Sequence, residues 1–443
     1  MLVGGFADFR GKRVLLLQGP VGPFFRRLAR DLERAGAYVH KVNFNGGDWL
    51  FYPKGARAFR GTLREWPGYC EALLHEFRID VVLLFGDCRP VHQPVFEIAR
   101  RRDVEVGVFE EGYIRPNYIS LERHGVNGHS RIPRSPIFYL NREIKRPAPV
   151  VEVGNTYWFA ALWAVLYYTA ATLLRPLFRH YRHHRPLTML EGLPWVRSIW
   201  RKAFYGVRER RLRARLTSSL SKQYFLVPLQ LYNDSQIREH SDYVNVEAFI
   251  RDTMASFAGH APRGVALVIK HHPLDRGYSD YTRLIRALAA EHGLTGRVFY
   301  VHDLHLPTLL DHARGVVTVN STVGLSALIH GAPLKVCGRA VYDMEGLTYS
   351  DVLDKFWREA PKARPMKKLL RGFIHYLIEH TQINGSFYRR VDAFGGHAGI
   401  GLAAAGQPAL PQVAGAKTGT GAVAAGEGIA TADPSLAPGV VEG

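Results

Sequence analysis

Short aliphatic and β-branched runs alternate with amphipathic stretches along residues 13–110. The runs are RVLLLQ, YVHKVNF, DVVLLFG and EVGVFE, and helical patterns lie between them at FFRRLARDLERAG, near 63–77 and near 93–102. This alternation is typical of parallel βαβ units, in which each strand is buried and each helix covers the sheet. The first part of the chain is therefore predicted to be a Rossmann-like domain, assigned to residues 1–140.

A second series of the same kind follows later in the chain. Its runs are YFLVPLQ (224–230), GVALVIK (264–270), RVFYVHD (297–303), GVVTVN (315–320) and PLKVCG (333–338). The predicted fold class is therefore α/β, with two Rossmann-like domains that face a cleft. We assign the second domain, with its closing helices, to residues 221–397.

The segment 141–220 between these series has a different pattern. Residues Val153 to Leu174 carry no charge, and RPLFRHYRHHRP and RSIWRKAFYGVRERRLRAR follow them. About 20 apolar residues suffice to span a bilayer. A membrane-spanning helix is therefore one interpretation of this segment. An interfacial hairpin with Trp and Tyr at headgroup level is the second, and a buried helical insertion with a solvated basic face is the third. We predict a basic, aromatic insertion at the membrane interface.

The tail, residues 398–443, is rich in Gly, Ala, Pro and Thr and nearly lacks large apolar side chains. Such a composition cannot bury enough surface to offset the entropy of ordering the chain. We predict a disordered extension without chemistry.

Charge narrows the range of partners. The 443 residues contain 58 Lys and Arg against 39 Asp and Glu, a formal net charge of +19, which favours nucleic acid, an anionic membrane surface or a phosphate-bearing substrate. The basic residues cluster at 175–215 beside an apolar stretch, a pattern that suits lipid better than a nucleic-acid groove. We expect an anionic membrane surface and no nucleic acid.

Cysteine and acidic residues give no indication of a metal or a disulfide framework. Cys70, Cys88 and Cys337 are far apart and form no CxxC pair, and no DxD motif suits a nucleotide-sugar metal site. The N-terminus has only a short apolar run after Arg13, too little for a signal peptide. We expect a cytoplasmic protein without metal or cofactor.

In the first domain, polar and glycine-rich loops follow the predicted strands. QGPVGPFF (18–25) matches neither the dinucleotide nor the P-loop motif, and a tight structural turn explains it equally well. NFNGGDWLFYP (43–53) follows the next strand, and open α/β sheets bind ligands at that edge. The ligand-binding candidates here are Gln18, Gly19, Asn45 and Asp48.

FEEGYIRP (109–116) ends the EVGVF strand with paired carboxylates and an arginine. If Glu110 and Glu111 lie close together in a cleft, their repulsion raises the proton affinity of one of them, which suits acid/base catalysis. A loop whose glutamates pair with surface arginines is an equally good interpretation.

Polar residues also follow the strands of the second domain. Gln230 and Asp234 come after one strand, although Asp234 could simply cap the next helix. Lys270, His271 and His272 follow another, and because neighbouring strand residues face opposite sides, one histidine should pack and the other should face the ligand. Two histidines on opposite faces cannot chelate one zinc ion together, so phosphate is the favoured ligand of this group.

Asn320, Ser321 and Thr322 follow a third strand of this domain, where capping alone is the alternative. The ends of parallel strands meet at one edge of a sheet, so these groups should converge on one crevice. A nucleotide-sugar site is predicted there.

Several motifs together resemble one family. QGPVGPFF, NFNGGDWLFYP, FEEGYIRPNYISLE, KHHP and NSTVGLSALIHGAPLKVCG resemble the capsule polysaccharide biosynthesis/export family of KpsS type over about residues 10–395. The resemblance implies a GT-B-like β-Kdo glycosyltransferase that moves Kdo from CMP-Kdo to a (lyso)phosphatidylglycerol-type acceptor. It further implies peripheral attachment to the inner face of the cytoplasmic membrane, with other capsule assembly proteins as candidate partners.

The resemblance also implies roles for individual residues through an analogy with bacterial sialyltransferases. Their acidic-acidic-Gly, His-Pro and Ser/Thr motifs correspond to Glu110-Glu111-Gly112, His272-Pro273 and Ser321-Thr322. The family's donor and product are both β-configured, which implies retention and hence a nucleophile as well as a base. The implied roles fall into three groups: catalytic residues Glu110, Glu111, Asp234 and His272; CMP- or phosphate-binding residues Lys270, Pro273, Asn320, Ser321 and Thr322; and donor- or acceptor-binding residues Gln18, Gly19, Asn45, Asp48, Arg115, Gln230 and Arg339.

Two alternatives stay open at this point. A GT-B transferase that uses another nucleotide sugar for an envelope glycan would share most of these features. A non-catalytic scaffold for capsule assembly is the other, and the paired carboxylates and the His-Pro motif argue against it.

Overall fold

The computed structural model describes residues 5–144, 149–182 and 192–402. From residue 403 onward, the predicted disordered tail lies outside the described residues, as do parts of the predicted insertion. The chain divides into two compact units. Among the described residues, unit 1 contains 5–131, 149–182 and 377–402, and unit 2 contains 132–144 and 192–376.

The strands are numbered in chain order. They are β1 (Arg13–Leu16), β2 (Tyr38–Asn43), β3 (Arg57–Ala58), β4 (Val81–Phe85), β5 (Glu105–Glu111), β6 (Tyr118–Arg123), β7 (Tyr224–Pro228), β8 (Ala266–Lys270), β9 (Val298–Val301), β10 (Gly315–Thr318), β11 (Leu334–Val336) and β12 (Gln382–Asn384).

The α-helices are numbered in the same way. They are α1 (Phe24–Arg34), α2 (Gly46–Phe51), α3 (Trp66–Glu76), α4 (Gln93–Arg101), α5 (Pro136–Leu140), α6 (Tyr157–Leu173), α7 (Gly192–Arg208), α8 (Arg210–Leu216), α9 (Ser235–His240), α10 (Val246–His260), α11 (Thr282–Glu291), α12 (Leu306–His312), α13 (Val323–Ile329), α14 (Leu353–Glu359) and α15 (Lys367–His380). Helix α15 begins in unit 2 and ends in unit 1.

Unit 1 contains a seven-stranded sheet in the order β12-β6-β5-β4-β1-β2-β3. Strands β1 to β5 pair in parallel, whereas β6 is antiparallel to both β5 and β12. Because strand side chains alternate between faces, Leu15 and Leu16 enter two different apolar cores, one on each side of the sheet. The central strands β1, β4 and β5 are largely buried on both faces, as the uninterrupted apolar runs predict.

The last part of the chain completes unit 1. The side chain of Gln382 on β12 donates a hydrogen bond to Ser120 Oγ at 2.8 Å and accepts one from the Tyr113 N–H at 2.9 Å. Asp31 accepts hydrogen bonds from the backbone N–H groups of His397 and Ala398. The predicted second domain ran to residue 397, whereas the structure places residues 377–402 in unit 1.

Unit 2 contains a five-stranded, wholly parallel sheet in the order β11-β10-β7-β8-β9. One apolar core packs alternate strand residues such as Phe225, Leu267 and Val317 against α10, α11 and α14. The predicted fold class, α/β with two Rossmann-like domains, is confirmed.

The uncharged segment forms helix α6, which belongs to unit 1 and packs closely on α2. A Cβ atom on Gly46 would lie 2.3 Å from the Ala170 carbonyl oxygen, and one on Gly47 would lie 2.5 Å from the Tyr167 ring. Only glycine permits this approach. Over residues 5–144, 149–182 and 192–402, no helix has both the length and the apolar character needed to cross a bilayer.

Candidate functional site

The residues predicted for the site lie in both units, near the carboxyl ends of strands. Those in unit 1 are Gln18, Gly19, Asn45, Asp48, Glu110, Glu111 and Arg115. Those in unit 2 are Gln230, Asp234, Lys270, His272, Pro273, Asn320, Ser321, Thr322 and Arg339. Each group is described within its own unit.

Glu110 has the electrostatic properties expected of an acid/base group. Burial raises its pKa to about 7, and the negative charges of Glu111 and Asp87 act in the same direction. The backbone N–H of Glu111 donates to Glu110 Oε1 at 3.0 Å, which favours the ionised form and limits the shift. Glu110 can therefore accept or donate a proton near neutral pH.

Glu111 is held by a residue far away in the sequence. The hydroxyl of Tyr388 donates to Glu111 Oε1 at 2.8 Å. Burial, together with the negative charge of Glu111, raises the pKa of Tyr388 well above its ordinary value, so the phenol keeps its proton. The next residue must be glycine, because a Cβ atom on Gly112 would lie 2.0 Å from the Tyr118 carbonyl oxygen. The glycine of this motif thus lets the chain turn tightly from β5 into β6.

Arg89 contacts the candidate residues of unit 1, although the sequence prediction did not include it. Its Nη1 atom donates to Gln18 Oε1 and to the Gly19 carbonyl oxygen, both at 3.1 Å. Its positive charge lowers the pKa of Glu110. The available signal was the run GDCRP, which follows β4 at the same sheet edge as the other candidates.

Gln18, Asn45 and Asp48 form a buried hydrogen-bond network with two tyrosines, Tyr167 and Tyr181. Tyr167 donates to Asp48 Oδ1 at 2.9 Å and accepts from Asn45 Nδ2 at 2.8 Å, and Gln18 Nε2 donates to the Tyr181 hydroxyl at 2.8 Å. Asn45 also caps α2 by accepting from the Asp48 N–H at 2.9 Å. This network gives these three residues a structural role, and their binding of a ligand stays a prediction.

Gly19 and Arg115 occupy different environments in unit 1. A Cβ atom on Gly19 would lie 2.8 Å from the Phe25 ring, so the turn after β1 requires glycine. Arg115 is exposed, and its Nε atom donates to the Gly112 carbonyl oxygen at 3.3 Å. Arg115 therefore lies beside the acidic motif with part of its guanidinium facing solvent.

In unit 2, the two adjacent histidines after β8 differ as strand alternation predicts. His271 is buried, and its Nδ1 lies 2.6 Å from the Tyr300 hydroxyl. Burial lowers its pKa to about 3, so its ring is neutral. His272 is partly exposed, and its Nδ1 accepts from the Leu274 N–H at 3.2 Å. The neutral His272 ring therefore carries its proton on Nε2, where it can donate to a phosphate oxygen.

Lys270 and Pro273, the other predicted phosphate-binding residues beside His272, differ from it in exposure. Lys270 is buried at the end of β8, and burial raises the pKa of Asp303 while the charge of Lys270 opposes that rise. Pro273 is exposed and begins a short 3-10 helix, Pro273–Asp275. Of these three residues, only His272 is partly exposed, and phosphate binding by this group stays a prediction.

Asp234 has a clear structural role. Its Oδ1 accepts from the Gln236 N–H at 3.0 Å and so caps α9, and its Oδ2 accepts from Gln230 Nε2 at 3.0 Å. Gln230 also donates to Asn320 Oδ1 at 3.0 Å, and Asn320 Nδ2 donates to the Gln236 carbonyl oxygen at 2.8 Å. The network joins the ends of β7 and β10, so three predicted residues are brought together.

Ser321, Thr322 and Arg339 complete the group in unit 2. Ser321 Oγ accepts from the Val323 N–H at 3.2 Å, whereas the side chain of Thr322 does not cap α13. Arg339 is exposed, and its Nη2 donates to the Glu239 carbonyl oxygen at 2.7 Å near the end of α9. The hydroxyl of Thr322 is thus not used by its own helix.

The fold and the two groups of candidate residues define a class: an α/β protein of two Rossmann-like units, with a carboxylic acid of near-neutral pKa near the end of a strand in one unit and a partly exposed histidine after a strand in the other. Residues 80–388 match the family model described as capsule polysaccharide biosynthesis protein. The chain belongs to this family, and the resemblance inferred from the motifs is confirmed.

Individual relatives agree with this assignment. The chain is 44% identical over 389 residues to the capsule polysaccharide export protein KpsS of Escherichia coli, covering 85% of this chain and 97% of that protein. It is 42% identical over 394 residues to the capsule polysaccharide modification protein LipB of Neisseria meningitidis serogroup A / serotype 4A, covering 86% and 92%.

A solved structure of Thermosulfurimonas dismutans KpsC, a beta Kdo 2,7 transferase, matches with a TM-score of 0.36 and 16% identity. The match covers 76% of this chain and 88% of that chain. A likeness this weak carries no argument about the reaction.

Proposed function

We propose that the protein is a retaining glycosyltransferase that moves Kdo from CMP-Kdo to a (lyso)phosphatidylglycerol-type acceptor in capsular polysaccharide biosynthesis. Membership of the capsule family supports the pathway. The observation that carries the proposal of a transferase is the near-neutral pKa of Glu110, since a carboxylate in this state suits acid/base catalysis.

We assign the donor nucleotide to unit 2. The bond between the anomeric carbon of Kdo and the CMP phosphate oxygen breaks, and the electron pair leaves with the phosphate. The Nε2–H of His272 donates to that oxygen and stabilises its developing negative charge. Thr322, whose hydroxyl does not cap α13, supplies a second donor, with Ser321, Asn320, Lys270 and Pro273 as further members of the proposed site.

We assign the acid/base step to Glu110 in unit 1. The acceptor hydroxyl oxygen forms the new bond to the anomeric carbon, and its proton passes to Glu110. Net retention through two displacements needs a second carboxylate, which bonds to the anomeric carbon first and is then displaced by the acceptor oxygen. Asp234 and Glu111 are the candidates for this role.

The acceptor determines where the reaction takes place. A lipid acceptor requires the enzyme to work at a membrane, and we propose the inner face of the cytoplasmic membrane, with other capsule assembly proteins as candidate partners. Arg89, Arg115 and Arg339 are the candidate partners of the Kdo carboxylate or of the acceptor phosphate. Of these, Arg89 acts directly on the pKa of Glu110.

The direct test is mass spectrometry of the products formed from CMP-Kdo and a fluorescent lysophosphatidylglycerol. We expect a mass increase of one or more Kdo residues. Calorimetry with CMP, UDP and GDP examines the donor, and equal affinity for all three would reject CMP-Kdo in favour of another nucleotide sugar.

Variants separate catalysis from folding. Glu110→Gln and His272→Ala should each reduce transfer by at least about a hundredfold, the usual contribution of an acid/base or oxyanion-stabilising group, with circular dichroism unchanged. Full activity of the double variant would contradict the proposed site.

Asp234→Asn distinguishes the two candidate nucleophiles. Asparagine caps a helix about as well as aspartate, so α9 keeps its cap while the nucleophilic carboxylate is removed. Loss of transfer with unchanged melting would assign the nucleophile to Asp234, and retained transfer would leave Glu111, which Glu111→Gln then tests.

A further inference from the structure

Helix α6 has two apolar faces, and the part of the chain that the structure describes covers one of them. Trp158, Leu162, Val165, Leu166 and Leu173 are 71%, 50%, 58%, 39% and 65% exposed. Their spacing places them on one side of a helix with 3.6 residues per turn. We call these five residues the α6 stripe. Contiguous exposed apolar surface of this kind marks an interaction site.

The opposite face of α6 is fixed along unit 1. Trp163 Nε1 donates to the Tyr388 carbonyl oxygen at 2.9 Å, Tyr167 bonds to Asp48, and Ala170 packs against Gly46. These contacts extend from Trp163 to Ala170, over two turns of the helix. Helix α6 is therefore held lengthwise against its unit, with the stripe facing outward.

Charge indicates what the stripe binds. Residues 157–173 contain no Asp, Glu, Lys or Arg, and exposed Arg175, Arg179 and Arg182 follow directly. An apolar helical face beside exposed arginines matches the acyl boundary and the anionic headgroups of a bilayer, and a net charge of +19 adds long-range attraction.

We propose that the α6 stripe docks the protein on an anionic bilayer, with α6 lying in the plane of the interface. The choice of a membrane as partner rests on the proposed lipid acceptor. Tyr388 accepts a hydrogen bond from Trp163 of α6 and donates one to Glu111. One residue thus connects the docking helix to the acidic motif.

Vesicle flotation with the full chain tests this docking surface. The vesicles contain phosphatidylcholine alone or mixed with phosphatidylserine, which supplies negative charge without the headgroup of the proposed acceptor. We expect the protein to float with the mixed vesicles and to be released at high salt. The variant L162E/V165E should bind at least about tenfold more weakly, because two carboxylates would have to enter the acyl boundary.

V244E/V352E is the matched control, since Val244 and Val352 are 71% and 57% exposed in unit 2. It should float like the wild type. If L162E/V165E does not fold, Trp158 provides a second measurement: brominated lipid should quench part of the tryptophan fluorescence of the wild type, and W158F should lose that part.

Each outcome bears on the docking surface alone, because flotation requires no transfer. Unchanged flotation of L162E/V165E, equal binding to phosphatidylcholine vesicles, or no wild-type flotation would overturn the proposal, the last result indicating that a protein partner covers the stripe. A chain that floats as expected but transfers no Kdo would instead reject the proposed function.

Discussion

At the scale of single residues, the acid/base candidate depends on its surroundings more than on its own sequence motif. Glu110 and Glu111 are adjacent and chemically identical, yet the pKa of Glu110 rises to about 7 through burial, while Glu111 accepts a hydrogen bond from Tyr388. The motif predicted a pair of carboxylates with different proton affinities. It could not indicate which one was raised, because burial and Tyr388 come from distant parts of the chain.

The raised pKa of Glu110 predicts a pH dependence of stability. Between about pH 4.5 and pH 7 the folded protein holds this proton and the unfolded chain releases it, so Glu110 makes the protein less stable as the pH rises through that range. Glu110→Gln removes the penalty. Urea denaturation should show the variant more stable than the wild type by about 1–3 kcal/mol above pH 7, with no gain below pH 4.5. A gain that is independent of pH would contradict the assigned pKa.

The interaction of Arg89 with Glu110 predicts that removing the arginine charge shifts the pH profile of transfer. Its charge favours ionised Glu110, so Arg89→Met should raise the pKa of Glu110 and move the rising limb of kcat/KM upward by about one pH unit. Arg100→Met is the control, because Arg100 pairs with Glu97 on the surface of α4. If Arg89→Met lowered the rate equally at every pH, Arg89 would act on the substrate and not through Glu110.

At the scale of elements, the sequence predicted the long parallel strands well and the short or antiparallel strands poorly. The aliphatic runs correspond to β1, β2, β4, β5 and β7–β11. Strands β3, β6 and β12 were not predicted: β3 has two residues, β12 has three, and β6 lies within a motif whose polar residues indicated chemistry and not a strand. The orientation of α6 was also unpredictable, because the helix is apolar all round and the packing of α2 decides which face is buried.

The contact between α2 and α6 predicts that two glycine-to-alanine substitutions differ in their effect on stability. Gly46→Ala should destabilise the protein by about 1–3 kcal/mol, because its Cβ atom would overlap the Ala170 carbonyl oxygen. Gly68→Ala in α3 meets no atom within 4 Å and should be neutral or stabilising by up to about 1 kcal/mol. Thermal melting of both variants tests this, and equal melting temperatures would show that α6 can shift without cost.

At the scale of the whole molecule, the two α/β units were predictable and their boundaries were not. Local periodicity identifies βαβ units, but it contains no information that residues 377–402 return to the first sheet. Gln382 is buried by contacts with residues more than 260 positions earlier, and such pairings have no local signature. In the same way, the segment predicted as one insertion divides between units, α6 with unit 1 and α7 and α8 with unit 2.

Two truncations test the role of this returning segment. A chain that ends at residue 376 loses β12, the partner of β6, and Tyr388, the partner of Glu111. We expect it to aggregate through the unpaired edge of β6 and to lack a cooperative melting transition for unit 1. A chain that ends at residue 402 keeps every described residue of unit 1 and should melt like the full chain. Normal melting of the shorter chain would show that β12 is dispensable.

The position of β12 also has a consequence for synthesis in the cell. Residues 382–384 leave the ribosome only after all of residues 132–376, a delay on the order of tens of seconds at usual elongation rates. Throughout that time, β6 is a nascent edge strand that other chains on the same polysome can pair with. Unit 2 can fold before unit 1 is finished, so the half of the protein that is translated first is the half that matures last, and its edge is where a chaperone would be needed.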